Sequence, residues 1–392
     1  MDPPDQPLIS IVINNHNYGQ YIGRAIESAL GQSYERVEVI VVDDGSSDGS
    51  RDVIARYSDR CIAVFQKQRG QGGAYNSGFG TSRGDIVLFL DSDDVLYPDA
   101  ATEIAGAWAP SVAKVQFPLD AIDALERKLG HRVPNLPFVG SDETLPLVLS
   151  YGYYPSPPGS GNAFSRQVLE RILPANEAVW RIGVDGLVIG LAPLYGDIVS
   201  LPISLGAYRH HDRNHSEASG TNLRKIRNDL LNEANRATAI KSHAAASGHR
   251  IEHDLSLRIP GHCKGRLVSL RLERETHPFS GDSSIRLALS GINACWRFPH
   301  HRLSKRVAVS VAFALLPLVP RAWLERNLDQ MIIGRRRHGW LRRLMPAGVD
   351  PGIALASLTA RAPARRPPVR AVARPQRETA SREMRVRSRG NS

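Results

Sequence analysis

Cysteine is scarce: Cys61, Cys263 and Cys295 are the only three in 392 residues, widely spaced and in no CxxC pair. A disulfide framework and a thiolate zinc site are therefore not indicated, and a reducing compartment fits best. A long apolar run is also missing. The uncharged stretch Val307 to Pro320 is fourteen residues and is interrupted by Pro317. At about 1.5 Å per residue it reaches roughly 21 Å, short of the ~30 Å hydrocarbon layer. The start, Met1-Asp2-Pro3-Pro4-Asp5, is acidic and proline-rich where an export signal needs positive charge followed by an apolar segment. Two nucleotide-binding signatures are missing as well. The glycines of Gly70-Gln71-Gly72-Gly73-Ala74-Tyr75-Asn76-Ser77-Gly78 fit no G-x-G-x-x-G register, and no G-x-x-x-x-G-K-[ST] loop occurs. Dinucleotide oxidoreductases and P-loop NTPases are thereby disfavoured.

What is present is an ordinary globular composition, 42% hydrophobic and 23% charged, in a chain of 43.0 kDa that suits an enzyme-sized domain plus an appendage. The net charge of +11 looks like that of a nucleic-acid binder until it is divided along the chain. Residues 1–320 carry 33 Lys+Arg against 34 Asp+Glu, so the whole excess is C-terminal, without the aromatic interleaving of a nucleic-acid surface.

Apolar runs alternate with helical spacing. Leu8 to Ile13, Val37 to Val42, Cys61 to Phe65 and Ile86 to Leu90 read as strands, and helices are expected around Ile22 to Leu30, Val53 to Tyr57 and Ala74 to Ser82. Such continuously apolar strands imply a mostly parallel sheet covered on both faces, an α/β domain. Segment 111–160, rich in proline, reads as loops, and a helix is expected from Ser165 to Leu173 with Ser165 as its N-cap. From Asn222 on, Leu223, Ile226, Leu230, Ala234, Ala237 and Ile240 share one helical face, so a mainly helical region begins there. The organisation expected is residues 1–217 as a catalytic domain, 218–345 as a helical region, and 346–392 as a disordered Arg/Pro-rich tail with too little apolar content to offset its ordering entropy.

Two acidic strand ends carry the chemistry. Leu90-Asp91-Ser92-Asp93-Asp94 follows a buried strand, and carboxylates spaced D-x-D on an extended segment can aim oxygens at one divalent cation such as Mg²⁺ or Mn²⁺, whose other ligands are substrate phosphates and water. Alone the motif fits a solvated acidic turn better; its partner at the next strand end, Val42-Asp43-Asp44-Gly45-Ser46-Ser47-Asp48, shifts the reading to a nucleotide. There a carboxylate can accept from a base or ribose, while an Asp-Gly turn is the plainer alternative.

This ordered set, with Ser10 to Asn17, Gly70 to Gly78, Ser160-Gly161-Asn162-Ala163-Phe164-Ser165-Arg166 and Tyr208-Arg209-His210-His211 with Asn214 and Ser216, resembles the inverting family 2 glycosyltransferases of the GT-A fold over about residues 7–217. The resemblance implies a Rossmann-like, mostly parallel sheet with helices on both faces. It also implies a nucleotide diphosphate sugar as donor, UDP-linked, and a divalent cation, Mn²⁺ or Mg²⁺, as cofactor. It places the base against Asn14, His16 and Asp44, puts Asp91 near ribose and metal, makes Asp93 the direct metal ligand with His211 beside it, and sets Arg209 or His211 over the leaving group. The family carries its catalytic carboxylate between the S-G-N-x-F-x-R and Y-R-x-H segments; here Asp185 is the candidate, with Asp197 the alternative. Val184 stands where an acid is often found, and a non-catalytic nucleotide-sugar-binding or scaffolding protein is the second reading. The acceptor implied is a glycan or lipid-linked hydroxyl in polysaccharide or cell-envelope synthesis. Val307 to Pro320, followed by Arg321, Arg326, Arg335 to Arg337, Arg342 and Arg343 with Trp323 and Trp340, reads either as an interfacial helix on an anionic membrane or as a buried helix packed on the catalytic domain. A cytoplasmic protein, peripheral at the inner face of the membrane, is the expected localisation.

Overall fold

In a computed structural model, residues 6–135, 137–211, 223–297 and 303–328 are described, and together they form a single compact unit. The alternation expected from sequence is present: β1 (Ile9–Asn15), α1 (Ile22–Leu30), β2 (Val37–Asp44), α2 (Ser50–Ala55), β3 (Ile62–Gln66), α3 (Gln71–Thr81) and β4 (Ile86–Asp91). After β5 (Val95–Leu96) and α4 (Ala100–Gly106) the chain departs from the sequence reading. Segment 111–160 is not a run of loops. It holds β6 (Val112–Gln116), β7 (Leu119–Asp123), β8 (Lys128–Val133) and α5 (Ser141–Tyr151), the last with Pro146 inside it. The signal was lost because β8 is solvent-exposed almost throughout and lacks an apolar face. Then come β9 (Asn162–Ser165), α6 (Arg166–Leu169), α7 (Val184–Leu191), β10 (Asp197–Ser200) and β11 (Gly206–His210). Ser165 does precede α6, but its side chain makes no capping bond and the helix is only four residues long.

The main sheet has the order β10-β6-β9-β4-β1-β2-β3, parallel except for β9, which runs antiparallel to both neighbours. Two apolar clusters cover it, one per face. Val12, Ile40, Val42, Val87 and Phe89 meet α3 and α7, while Ile11, Ile13, Val41, Leu88 and Leu90 meet α1 and α4. The alternation of these residues between faces follows the two-residue period of strands. β3 is the exception to continuous burial: as an edge strand it leaves Ile62 and Phe65 exposed. Glycine sets the depth of α3, since a Cβ on Gly78 would stand 2.3 Å from Val12 Cγ1. A smaller sheet, β5-β11-β7-β8, sits at the strand carboxyl ends and brings β11 beside the acidic loop after β4.

The second region is helical: α8 (Leu223–Ala246), α9 (Pro260–Leu272), α10 (Ser284–Arg297), α11 (Leu303–Leu315) and α12 (Arg321–Arg326). α8 bridges two cores. Ile240 and Ala244 join the cluster around α7, and Ile226 and Leu230 join a third cluster with α9, α10 and α12. No helix of the described residues is long and apolar enough to cross a membrane. Asn214, Ser216, the arginines at 335–337 and 342–343, Trp340 and the tail 346–392 lie outside the described residues.

Candidate active site

The register of the central strands assembles the site. Asn14 at the end of β1 pairs with Val42 on β2 and Asp91 on β4. Asp91 and the end of β2 are thus separated by one strand, about 10 Å across the sheet at ~4.8 Å per strand. Asn14, Asp44 and Asp91 share the sheet face that carries Val12, Val42 and Phe89, because residues two apart on a strand share a face. Both polar atoms of the Asn14 side chain are buried and without a hydrogen-bond partner among the described residues. An unsatisfied buried amide costs about 1–3 kcal/mol, so this one calls for a ligand at the sheet edge.

The two acidic strand ends turn out to be unlike each other. Asp43 accepts from Asn15 Nδ2, Ser46 N and Arg51 Nε; burial works against its ionisation, but these donors outweigh it and hold the carboxyl below its ordinary range. Asp44 accepts from Gln66 Nε2 (2.6 Å), Arg69 N (2.7 Å) and Gly70 N (2.7 Å). Its carboxylate therefore shapes the loop in which Gly70 takes φ +84° and which opens α3. The His16 ring, predicted beside the base, touches Asp44 O through Nδ1 and the side chains of Asn17 and Gln68 through Nε2.

The loop after β4 has no such surplus of donors. Burial first, then Asp93 and Asp185, push the Asp91 carboxyl well up; burial, Asp93 and Asp91 do the same to Asp94. Asp94, which sequence reasoning passed over, is the anchor of the loop: Oδ2 accepts from Ser160 Oγ (2.6 Å) and Oδ1 from Arg209 N (2.9 Å). Ser160 Oγ in turn accepts from Asp91 N (3.1 Å). Arg209, predicted over the leaving group, is almost wholly buried. Its guanidinium donates to Asp93 O and to Glu126 and lies over the Tyr21 ring. These contacts make it a brace for the acidic loop. His211 does meet the loop: its Nε2 lies 3.0 Å from Asp93 Oδ2.

The structure brings Asp185 to Asp91. Gly159 leaves a methyl-sized gap, and a Cβ placed there would stand 3.4 Å from Tyr75 Oη, 3.6 Å from Asp91 Oδ2 and 3.7 Å from Asp185 Cβ. Burial pushes the Asp185 carboxyl up, against hydrogen bonds from its own and the Gly186 amide and the charge of Arg236. The segment before it is strapped to α3. Gln71 N and Gly72 N donate to the Arg181 and Trp180 carbonyls, and Gly183 N donates to Gln71 Oε1. These bonds occupy the first amides of α3 and connect Asp44, through the Gly70 loop, to the placement of Asp185. Asp197 stands apart on edge strand β10, exposed, accepting from Ser141 Oγ.

The donor set suits a hard divalent cation. Carboxylate oxygens of Asp91 and Asp93 and an imidazole nitrogen of His211 stand in a region of excess negative charge. Among the described residues, no three His, Cys, Asp or Glu groups converge as a complete ligand set. The remaining ligands would come from phosphates and water, the usual arrangement for Mg²⁺.

Residues 10–173 match the family described as glycosyl transferase family 2. An uncharacterized glycosyltransferase of a Nostoc species is 38% identical over 220 residues, 54% of this chain and 68% of the relative. The succinoglycan biosynthesis protein ExoO of Rhizobium meliloti is 32% identical over 230 residues, 54% of this chain and 64% of the relative. A crystal structure of S. aureus TarS in complex with UDP-GlcNAc superposes with a TM-score of 0.48 at 13% identity, covering 84% of this chain and 93% of that one. With the acidic loop after β4 and the mixed sheet in place beneath them, the matched motifs establish that this chain belongs to the family 2 glycosyltransferases, enzymes of the GT-A fold.

Proposed function

We propose that this glycosyltransferase is metal-dependent and inverting, and that it moves a sugar from a UDP-linked donor to an acceptor hydroxyl in polysaccharide or cell-envelope glycan synthesis. The observation that carries the reading is the approach of Asp185 and Asp91 to one point beside Gly159, which sets a buried carboxylate against the donor end of the sheet. Asp93 and His211 are the residues that would hold Mn²⁺ or Mg²⁺, with Asp91 beside them; bound there, the ion supplies compensation for charge growing on the departing diphosphate. Asn14, whose side-chain amide has no partner among the described residues, offers donor and acceptor to the nucleotide, and Asp44 and His16 fix the loop that borders it. Asp185 takes the proton of the acceptor hydroxyl as its oxygen forms the new bond to the anomeric carbon. The bond from that carbon to the diphosphate oxygen breaks on the opposite side, so configuration inverts with a single base. The role in polysaccharide assembly draws on the relative named for succinoglycan biosynthesis.

Incubation with Mn²⁺ and a panel of nucleotide sugars, read by nucleoside diphosphate release, tests the reading. Turnover with a UDP-sugar that collapses in Asp185→Asn while UDP still binds is expected. UDP-sugar binding with no transfer, indifferent to Asp185→Asn, would instead favour the non-catalytic binding protein.

Placement on an anionic membrane surface has its own support. Leu303, Val307, Val311 and Leu315 lie four apart along α11 and are 46–66% exposed, and Ile285 and Leu289 of the adjoining α10 are 72% and 62% exposed. α11 buries only Phe313, which seats on Gly291 of α10, so the exposed stripe is not a face packed on the catalytic sheet. No acid occurs between Asp282 and Glu325, whereas Arg286, Arg297, Lys305 and Arg306 do. That charge repels a second copy of the same face and complements anionic headgroups.

A further inference from the structure

Against Asp185 lies a cleft of about 420 Å³ between α7, α8 and α9. It arises from an interruption in α8. The helix is anchored at Ile226 and Leu230 and again at Ile240 and Ala244, but no residue from 231 to 239 is fully buried. In that gap Asn232, Glu233 and Arg236 face the wall made by Trp180, Gly183, Asp185 and Gly186, and Gly261, His262 and Lys264 of α9 close the far side. The glycines keep the walls low: a Cβ on Gly183 would stand 3.3 Å from Asn232 Nδ2, and one on Gly186 3.4 Å from an Arg236 terminal nitrogen.

The cleft is chemically organised. Glu233 Oε2 pairs with Arg236 and with His262 Nε2 (3.1 Å); burial opposes its ionisation, and those two partners outweigh it. Lys264, pushed down to about 8 by burial, lines the far side, and the Asn232 side chain makes no hydrogen bond within the described residues. His262 Nδ1 is buried and unpartnered among the described residues. Carboxylates of Asp185, Asp229 and Glu233 face Arg236 and Lys264, while burial lowers the His262 pKa and favours its neutral ring. Such a mixture of acceptors and donors, with no excess of positive charge and beside the apolar surfaces of Trp180, Ile226 and Leu230, suits a neutral ring bearing many hydroxyls and apolar C–H faces. The volume lies within the ~300–1,000 Å³ usual for small-molecule sites. An anionic sugar would gain no net attraction here, and an apolar chain would strand the polar lining.

We propose that this cleft is the acceptor subsite, that it takes the neutral saccharide end of the acceptor, and that Asn232 and the Arg236–Glu233–His262 cluster select it. Asp185 is shared between the cleft and the gap at Gly159, so a saccharide seated here has a hydroxyl within reach of the base. Acceptor choice then resides in α8 and α9, which lie wholly outside the segment 10–173 that matches the family.

Naming the occupant an acceptor rests on the proposed transfer reaction; the site itself is tested without any donor. Saturation-transfer NMR with the full chain and methyl glycosides of neutral hexoses, pentoses and 6-deoxyhexoses, with methyl glucuronide as the anionic control, reads binding directly. Expected are saturable signals from at least one neutral glycoside, an affinity about tenfold weaker in Asn232→Ala, loss in the cleft-filling Asn232→Trp, and an unchanged calorimetric affinity for UDP in both variants. Circular dichroism confirms that both fold. Equal neutral-glycoside binding in the wild type and Asn232→Trp, preference for the glucuronide, or no glycoside bound by the wild type would each overturn the proposal. Absence of donor turnover with these signals intact would count against the transfer reading alone.

Discussion

The ends of β2 and β4 look alike in sequence, two acidic clusters after two apolar strands, yet they are opposite in physics. Asp43 and Asp44 are surrounded by donors from Asn15, Ser46, Arg51, Gln66, Arg69 and Gly70, and they hold the chain together. Burial and the neighbouring Asp93 raise the cost of ionising Asp91 and Asp94, and Arg209, a nearby cation, directs its guanidinium to Asp93 O and Glu126. A satisfied carboxylate is structure; a crowded one is a place for a cation. The contrast teaches that an acidic motif is read by counting the donors its loop can offer, which depends on residues distant in sequence.

Substitutions sharpen this contrast in decreasing order of effect. Asp93→Ala is expected to lower nucleoside diphosphate release by about 10³-fold while leaving the melting temperature unchanged or raised, because a like-charged neighbour is removed; a large loss of stability instead would make this loop a clamp too. Asp185→Asn should cost about 10²-fold in kcat. In the wild type the acid limb of kcat should lie above the ordinary carboxylate range, since burial raises the Asp185 pKa and the base acts only when deprotonated; a limb at or below pH 4 contradicts that assignment. On the other strand end, Asp43→Asn should lose about 2 kcal/mol in urea unfolding at pH 7 with UDP affinity intact. Because the folded-state pKa of Asp43 is depressed, its contribution is present above the unfolded value near ~3.9 and is lost as pH falls through the folded value. The gap between wild type and variant should therefore close on acidification. The smallest effect concerns the helical region: Val311→Glu should weaken flotation with phosphatidylglycerol vesicles several-fold, and unchanged flotation, or concentration-dependent dimerisation abolished by the same change, would replace the membrane with a second copy.

The parts of the fold that are legible in sequence are those governed by local pattern. β1, β2 and β4 are apolar runs that stop at polar residues, and the six-residue face of α8 is visible because its period is 3.6. The small sheet was not legible, since β8 is exposed almost throughout and has no apolar face, and β11 joins β7 from more than eighty residues away. At the site, residue identities were readable but tasks were not. Asp185 was separable from Asp197 only by a weak positional argument, and the straps from α3 to Trp180 and Arg181 that place it are backbone bonds, which leave no side-chain signature. Arg209 carries its charge openly in the sequence, while Glu126, its partner, lies in a turn that no motif marks. Ser160 and Asp94 were visible as motif letters, but their mutual bond, which fixes the acidic loop, spans 66 positions.

The most direct measurement is Mn²⁺ binding followed by electron paramagnetic resonance, with and without UDP, on the wild type, Asp93→Ala and Asp43→Asn. UDP-dependent Mn²⁺ binding in the wild type and in Asp43→Asn, and its loss in Asp93→Ala, is the predicted result. Mn²⁺ held equally well by Asp93→Ala, or lost from Asp43→Asn with its fold intact, would contradict the account.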